Sequence, residues 1–169
     1  GADTLATSYT LALAIRMLDS AGLILCGKQA ADGDTAQVGP GIAANLDIPH
    51  VTQVRKIREM DTEGLVVERL TETGYEVIQV RLPAVITVVK EINEPRIPGL
   101  RGMMRAKKAQ IPCWDADTIG ADPNALGLKG SPTRVWRTFE PERHGRGEML
   151  RGSPEEQAAL LWGKLRAEL

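Results

Sequence analysis

The stretch LILCGKQAADGDTAQVGP, residues 23–40, decides the fold. It opens with a continuous apolar run at 23–26, which is typical of a short strand buried on both faces of a parallel sheet. Small residues and turn formers follow, and Val38, Ile42 and Leu46 then recur at the four-residue spacing of a helix. A buried strand, a short loop and a helix in this order predict an α/β domain.

The loop between this strand and helix has the chemistry of a phosphate site. Backbone N–H groups converge at a helix start, and the helix dipole favours an anion there. Gly33 is expected to supply a positive φ or a close approach to a ligand. Asp34 and Gln37 have the spacing of a capping box, which predicts that the helix begins at Thr35. Asp32 and Asp34 would repel a phosphate group. We therefore expect them to cap the helix, to brace the turn or to accept a hydrogen bond from a ribose hydroxyl.

The loop alone does not establish a nucleotide site. It matches neither GxGxxG nor GxxxxGK[ST], so an ordinary strand-to-helix turn is the alternative explanation. Pro40 complicates the helix, because proline inside a helix costs about 3 kcal/mol. The helix is therefore expected either to begin with a kink or to become regular only near Pro40.

The chain on either side of this stretch supports an α/β domain. A helix is predicted at 3–18, with Asp3 as its cap. Residues 50–82 alternate apolar and polar positions between turn signals, which predicts an antiparallel meander. Residues 84–89 are again continuously apolar and are expected to return to the central sheet.

We interpret the C-terminal part of the chain as a series of loops and helices that extend from this domain. A proline-rich loop is expected at 91–101 and a short basic helix at 102–109, followed by an extended arm over 111–152. A capping box at Ser153–Glu156 then starts an amphipathic helix over 154–168. We accordingly divide the chain into residues 1–110, part of a nucleotide-binding α/β domain, and residues 111–169, an arm and terminal helix.

Composition narrows the classes of function. The chain has 169 residues, 43% of them hydrophobic, and a formal net charge of −1. These values favour a folded protein and give no support to nucleic-acid binding or membrane insertion. Cys26 and Cys113, like His50 and His144, are too far apart in sequence to suggest a disulfide framework or a metal site. We expect reduced cysteines, a cytosol-like compartment and no metal.

Three ordered motifs resemble one known family. Residues 27–40 resemble the nucleotide-binding motif of the electron transfer flavoprotein β subunit, or FixA-like, family. Residues 69–87, ending Leu-Pro-Ala-Val-Ile-Thr, resemble that family's central signature, and residues 93–108 resemble its partner-recognition loop. Gly1 is no initiator, and the resemblance implies that the N-terminal third of the family domain is missing.

The resemblance implies both a fold and a function. It implies an adenine-nucleotide α-hydrolase-like, Rossmann-like parallel sheet, paired with an electron transfer flavoprotein α subunit that carries FAD. Such a pair takes electrons from an acyl-CoA or other flavin dehydrogenase and passes them toward a quinone reductase, in the cytoplasm or, in eukaryotes, the mitochondrial matrix. The string at 32–40 is closer to family members that bifurcate electrons from NADH, which favours FAD at this site, with AMP as the alternative. Ala31 departs from the usual isoleucine.

The same resemblance assigns site residues by position. The cofactor-binding residues it implies are Gly27, Lys28, Gln29, Ala30, Ala31, Asp32, Gly33, Asp34, Thr35, Ala36, Gln37 and Val38. The partner-recognition residues are Arg96, Leu100, Arg101, Met104, Arg105, Lys107 and Lys108. Residues 111–169 are expected to pack on the α subunit. No side chain is expected to act as a general acid, base or nucleophile.

Two alternatives to this function stay open at this point. One is a small ATP- or AMP-binding protein of the same fold superclass, although no phosphate-activating residues stand out. The other is a truncated chain that binds no nucleotide of its own.

Overall fold

The computed structural model describes residues 1–18, 21–140 and 147–168. Its helices and strands, in chain order, are α1 (Thr4–Arg16), β1 (Leu23–Gly27), α2 (Val38–Leu46), β2 (His50–Met60), β3 (Gly64–Thr71), β4 (Gly74–Arg81), β5 (Ala84–Val88), α3 (Leu100–Lys108) and α4 (Pro154–Glu168). Short 3-10 turns lie at Lys90–Ile92 and Pro123–Ala125.

One five-stranded sheet has the order β1-β5-β2-β3-β4. β5 lies between β1 and β2 and runs parallel to both of them. β2, β3 and β4 form an antiparallel meander, as their alternating pattern predicts. The α/β class, the meander and the return of residues 84–88 to the central sheet are therefore confirmed.

The centre of the sheet is buried on both faces, which explains the continuous apolar run of β5. Ile86 belongs to a cluster with Val54 and Val67 on one face, and all three are fully buried. Val85, its neighbour in the chain, packs on the other face under Ile42 of α2. Each residue of β5 thus contributes to a core, whichever way it points.

The meander also contains an ion cluster around a buried glutamate. Glu68 is 6% exposed; its carboxylate accepts a hydrogen bond from Arg58 Nε at 2.9 Å and lies 3.3 Å from Arg55 Nε. Both guanidinium groups also lie over the Tyr75 ring. The hydrogen bond from Arg58, helped by the charges of Arg58 and Arg55, holds the pKa of Glu68 below its usual value despite burial.

Helix α1 is capped as predicted and packs closely on α2. The Asp3 carboxylate accepts from the backbone N–H groups of Leu5 and Ala6, at 3.0 and 3.1 Å. It also accepts from the backbone N–H and the hydroxyl of Thr133, at 3.1 and 2.9 Å. These bonds lower the pKa of Asp3, outweighing the desolvation that would raise it. The cap therefore joins the start of α1 to a distant segment of the chain.

The contacts divide the chain into two compact units, Gly1–Arg134 and Val135–Leu169. Residues 111–134 thus lie in the same compact unit as the sheet, whereas the sequence pattern grouped them with the terminal helix. Part of this segment is held on α1, where Tyr9 Oη accepts a hydrogen bond from the backbone N–H of Asp122 at 3.0 Å. The docking of residues 111–169 on an α subunit stays a prediction.

The second unit contains α4, which begins with the predicted capping box. The Ser153 backbone N–H donates to Glu156 Oε2 at 2.8 Å, and the Glu156 N–H donates to Ser153 Oγ at 3.3 Å. All side chains that the structure describes in α4 are exposed. Over the described parts of the chain, no helix is long and apolar enough to cross a membrane.

Candidate nucleotide site

A pocket of about 410 Å³ lies where the β1–α2 loop meets helices α1 and α2. That volume is within the range of small-ligand sites, about 300–1,000 Å³. Its lining residues are Leu11, Cys26, Gly27, Lys28, Gln29, Ala30, Thr35, Ala36, Gln37, Val38, Gly39 and Ile42. The pocket therefore lies outside the carboxyl end of β1, where open α/β sheets bind ligands.

The structure separates the twelve predicted cofactor residues into two groups. Gly27–Ala30 and Thr35–Val38 line the pocket, whereas residues 31–34 form an exposed tip beyond it. Leu11, Cys26, Gly39 and Ile42 also line the pocket but were not among the predicted residues. The helical spacing of Ile42 could have revealed it, whereas nothing in the sequence near the loop points to Leu11 of α1.

The two tip carboxylates brace the turn, which is one of the roles expected of them. Asp32 accepts from the Gly33 backbone N–H at 2.9 Å, and the Asp34 carboxylate accepts from the Gln29 amide. Of the two alternatives for Gly33, the positive φ is wrong, because the left-handed residues of this loop are Asp34, with φ 47°, and Ala36, with φ 53°. The other alternative, a close approach of a ligand to Gly33, stays a prediction. Asp34 suits this conformation because a short polar side chain tolerates it.

The predicted start of α2 at Thr35 is wrong, because the helix begins at Val38. The alternative prediction, a helix that becomes regular only near Pro40, is confirmed. Gln37 occupies the cap position and makes no side-chain capping bond. The capping box does not form because the Asp34 carboxylate is engaged by Gln29, one turn before the helix. Pro40 is then the third residue of α2, where its missing N–H would have had no helical partner.

The backbone at the start of α2 has the conformation of a nest, an arrangement of successive N–H groups that can bind an anion. Ala36 is left-handed, and Gln37 follows in the right-handed region with φ −97° and ψ −23°. In the described part of the chain, the N–H groups of Thr35, Ala36, Gln37 and Val38 have no acceptor. These donors and the α2 dipole fit a phosphate group, and Lys28 is among the residues that line the same pocket.

Two glycines bring α2 into close contact with its supports. A Cβ on Gly39 would overlap the Thr87 methyl of β5, and a Cβ on Gly41 would overlap the Ser8 hydroxyl of α1. Cys26 lies beside Gly39, and burial raises the pKa of its thiol, so the thiol is neutral at pH 7. The nest therefore rests on a packed layer of small side chains.

The described residues do not form a metal site at this pocket or elsewhere. Within residues 1–18, 21–140 and 147–168, no three His, Cys, Asp or Glu side chains gather as metal ligands would. The hydrogen-bond donors around the nest suit an anionic organic ligand, and they do not include a cluster of carboxylates that would bind a metal ion.

The predicted partner-recognition residues lie on and just before α3. All seven are exposed, and Leu100, the first residue of α3, is 71% exposed. Met103 and Met104 are about half exposed beside it. Arg101, Met104, Arg105 and Lys108 together line a shallow groove on this helix. The structure thus gathers an apolar group and a basic group on one short helix.

Comparison with known proteins identifies the family. Residues 1–119 match the model of the electron transfer flavoprotein domain. The chain is 44% identical to the electron transfer flavoprotein subunit beta of Megasphaera elsdenii, over 95% of this chain and 62% of that protein. It is 47% identical to the caffeyl-CoA reductase–Etf complex subunit CarD of Acetobacterium woodii, over 98% and 63%. It is 44% identical to protein FixA of Bradyrhizobium diazoefficiens, over 95% and 58%.

The match covers most of this chain but only about three-fifths of these relatives. The matched region contains both the β1–α2 loop and α3. The chain therefore belongs to the electron transfer flavoprotein family, with relatives among its β subunits and FixA proteins.

Proposed function

We propose that this chain is an electron transfer flavoprotein β subunit that binds the AMP moiety of FAD, or AMP itself, at the β1–α2 loop. In this proposal it helps pass electrons from a dehydrogenase, through the flavin of an α subunit, toward a quinone reductase. The nest at Ala36 and Gln37, inside a pocket at a helix start, is the observation that carries the nucleotide part. The relatives named as electron transfer subunits support the rest.

The residues of this chain would act by binding and orientation. The free N–H groups at 35–38 would hold a phosphate, and Lys28 would neutralise part of its charge. The Thr35 hydroxyl and the Gln37 amide would add side-chain hydrogen bonds. A bound flavin would supply the redox chemistry itself.

The choice between FAD and AMP rests on the resemblance of residues 32–40 to bifurcating members of the family. It favours FAD, with electron bifurcation from NADH as the accompanying activity and AMP as the alternative. Membership of the family disfavours an ATP-using enzyme of the same fold superclass. A chain that holds no nucleotide of its own is an outcome of the experiment below.

Nucleotide analysis of the purified complex tests this proposal. The chain is co-expressed with its α subunit, the complex is denatured, and FAD and AMP are quantified per complex. Two FAD would support the bifurcating form, and one FAD with one AMP would support the simple carrier. FAD on the α subunit alone would refute a nucleotide site at residues 27–38.

A pair of matched variants locates the bound nucleotide. Gln37→Ala removes a pocket amide, whereas Gln79→Ala removes an exposed amide on β4, away from the pocket. We expect Gln37→Ala to lower the nucleotide content and Gln79→Ala to leave it unchanged. Equal content in both variants would contradict the assignment of Gln37.

We also propose α3 as the docking site for the dehydrogenase. Leu100 would enter an apolar pocket on the partner, and the basic residues around it would steer an acidic surface. We expect Leu100→Ala to slow electron transfer from the dehydrogenase with the bound nucleotide unchanged. Leu128→Ala, which alters another exposed leucine of the same unit, is the control. Equal rates in the two variants would count against α3.

The C-terminal segment, residues 111–169, is proposed to dock on the α subunit. It carries large exposed apolar side chains, among them Trp136 at 97% and Trp162 at 61% exposure. Such amphipathic aromatic residues are enriched at protein interfaces. A blue shift of tryptophan fluorescence in the complex, reduced in Trp136→Phe, is expected; an unchanged spectrum would contradict docking.

A further inference from the structure

The start of α1 reaches the nucleotide loop through one side-chain hydrogen bond. Thr4 Oγ1 donates to Gln37 Oε1 at 2.7 Å, across 33 residues of sequence. Gln37 lines the pocket and is also the cap residue of α2. Because its side chain makes no capping bond to α2, its amide group is oriented by Thr4.

Thr4 is itself held on several sides. Asp3, the residue before it, caps α1 and is tied to Thr133. The Ser8 hydroxyl, one turn later, donates to the Thr4 carbonyl at 2.5 Å and lies 3.3 Å from the Val38 carbonyl of α2. The Thr4 hydroxyl is therefore fixed relative to the first residues of α2.

This bond decides which end of the Gln37 amide is available to a ligand. With Oε1 accepting from Thr4, the Nε2 group is left as a donor. Nε2 belongs to the same residue whose backbone N–H lies in the nest, where a donor suits an anion and an acceptor would oppose it. A polar side chain that is oriented before binding loses less entropy when the ligand arrives.

We propose that Thr4 is a positioning residue of the nucleotide site, which holds the Gln37 amide so that Nε2 donates to a phosphate oxygen in the nest. The inference rests on the proposed function and adds a residue of α1 to the site. Thr4 touches no ligand in this proposal and acts only through Gln37.

Binding of AMP and of adenosine to the purified complex tests this proposal. Thr4→Val removes the hydroxyl and keeps the shape of the side chain. Losing the preorganised amide should weaken AMP binding by about 2–10-fold. Adenosine has no phosphate, so its affinity should not change. A merely structural role would weaken both ligands alike, and that result would overturn the proposal.

Control variants separate positioning from packing. Thr4→Ser keeps the hydroxyl and should restore the affinity for AMP. Thr10→Val removes a hydroxyl on the same helix that donates only to the Ala6 carbonyl, so it should have no effect. In a Gln37→Ala background, Thr4→Val should have no further effect on AMP binding. An additional loss there would show that Thr4 does not act through Gln37.

Gln37→Glu tests the orientation of the amide. The carboxylate can still accept from Thr4, but it presents a negative oxygen where Nε2 stood. AMP binding should fall by about 10-fold or more. Wild-type affinity in Gln37→Glu would overturn the proposal. Absence of AMP and adenosine binding in the wild-type complex would overturn the proposed function and this inference together, whereas normal AMP binding by Thr4→Val would overturn this inference alone.

Discussion

Gly39 packs directly against Thr87 of the sheet, and Gly39→Ala tests how the nest is supported. A Cβ at this position would overlap the Thr87 methyl group and lie 3.5 Å from Cys26 Cβ. Gly39 is buried and Thr87 is 1% exposed, so neither residue can move into solvent. The added methyl must therefore displace α2 or β5.

Two free energies oppose each other in this variant. Alanine is favoured over glycine in a helix interior by up to about 1 kcal/mol. Overpacking a close-packed site typically costs about 1–3 kcal/mol. Gly39 is in the first turn of α2, where the gain in helix propensity is smaller. We therefore expect Gly39→Ala to lower the free energy of unfolding by about 1–2 kcal/mol.

Thr87→Ser supplies the matched compensation. It removes the methyl that Gly39→Ala would strike, and it keeps Oγ1, which accepts from the Gln53 backbone N–H at 3.0 Å. Alone it should cost about 0.8 kcal/mol for the lost methyl group. In the double variant the two changes fill each other's space, so the interaction energy should be about 1–3 kcal/mol in favour of stability.

Urea unfolding of the four proteins measures this interaction energy. Gly102→Ala in α3, where an added Cβ meets nothing within 4 Å, shows what alanine does in a helix with free space. Nucleotide content should follow the same order, falling in Gly39→Ala and recovering in the double variant. A Gly39→Ala protein at least as stable as wild type, or an interaction energy within about 0.5 kcal/mol of zero, would refute the reasoning.

Three further predictions concern other parts of the chain. Ile86→Ala, at a fully buried position of β5, should lower the free energy of unfolding by about 2–5 kcal/mol, whereas Ile97→Ala, at a position 93% exposed, should leave it unchanged. The pKa of Glu68 is lower in the folded protein than in the unfolded chain, so its ionised form stabilises the fold at pH values above the ordinary glutamate pKa of about 4.3. This stabilisation is lost as the pH falls through the pKa that Glu68 has in the folded protein. The stability advantage of wild type over Glu68→Gln, followed by urea unfolding from pH 7 to pH 3, should therefore shrink below about pH 4; an advantage independent of pH would contradict this. Ser153→Ala should weaken the start of α4 by about 0.5–2 kcal/mol, seen as faster amide exchange in α4 of the full chain with exchange in the sheet unchanged.

The strands and the sheet were predictable because the local pattern of apolar and polar residues indicates which faces of a strand are buried. The alternation over 50–82 produced the meander, since one face of an antiparallel sheet can stay polar. The unbroken apolar run of β5 correctly indicated a strand covered on both faces, because Val85 and Ile86 enter different clusters. A pocket also lies at the β1–α2 loop, whose sequence resembles a nucleotide motif, and nucleotide binding there stays a prediction.

The start of α2 was not predictable from the capping pattern. Asp34 and Gln37 have capping-box spacing, but the Asp34 carboxylate bonds to Gln29 instead. The sequence around Asp34 is compatible with either partner of its carboxylate, the start of α2 or the Gln29 amide. The left-handed backbone at Asp34 and Ala36 favours Gln29. Leu11 was missed for another reason: its place in the pocket depends on how α1 crosses α2, which no local pattern encodes.

The arrangement of the pocket implies a division between residues that shape the nest and residues that close the turn. Most of the donors in the nest are backbone N–H groups, so side-chain changes affect them only by moving the backbone. The positions that can move it are close contacts of α2: buried Gly39 against Thr87, and half-buried Gly41 against Ser8. The tip residues at 31–34 are exposed and bond among themselves and with Gln29 and Ala30. Nucleotide affinity should therefore depend more on the small residues beneath α2 than on the acidic tip, even though the tip is the more conspicuous part of the motif.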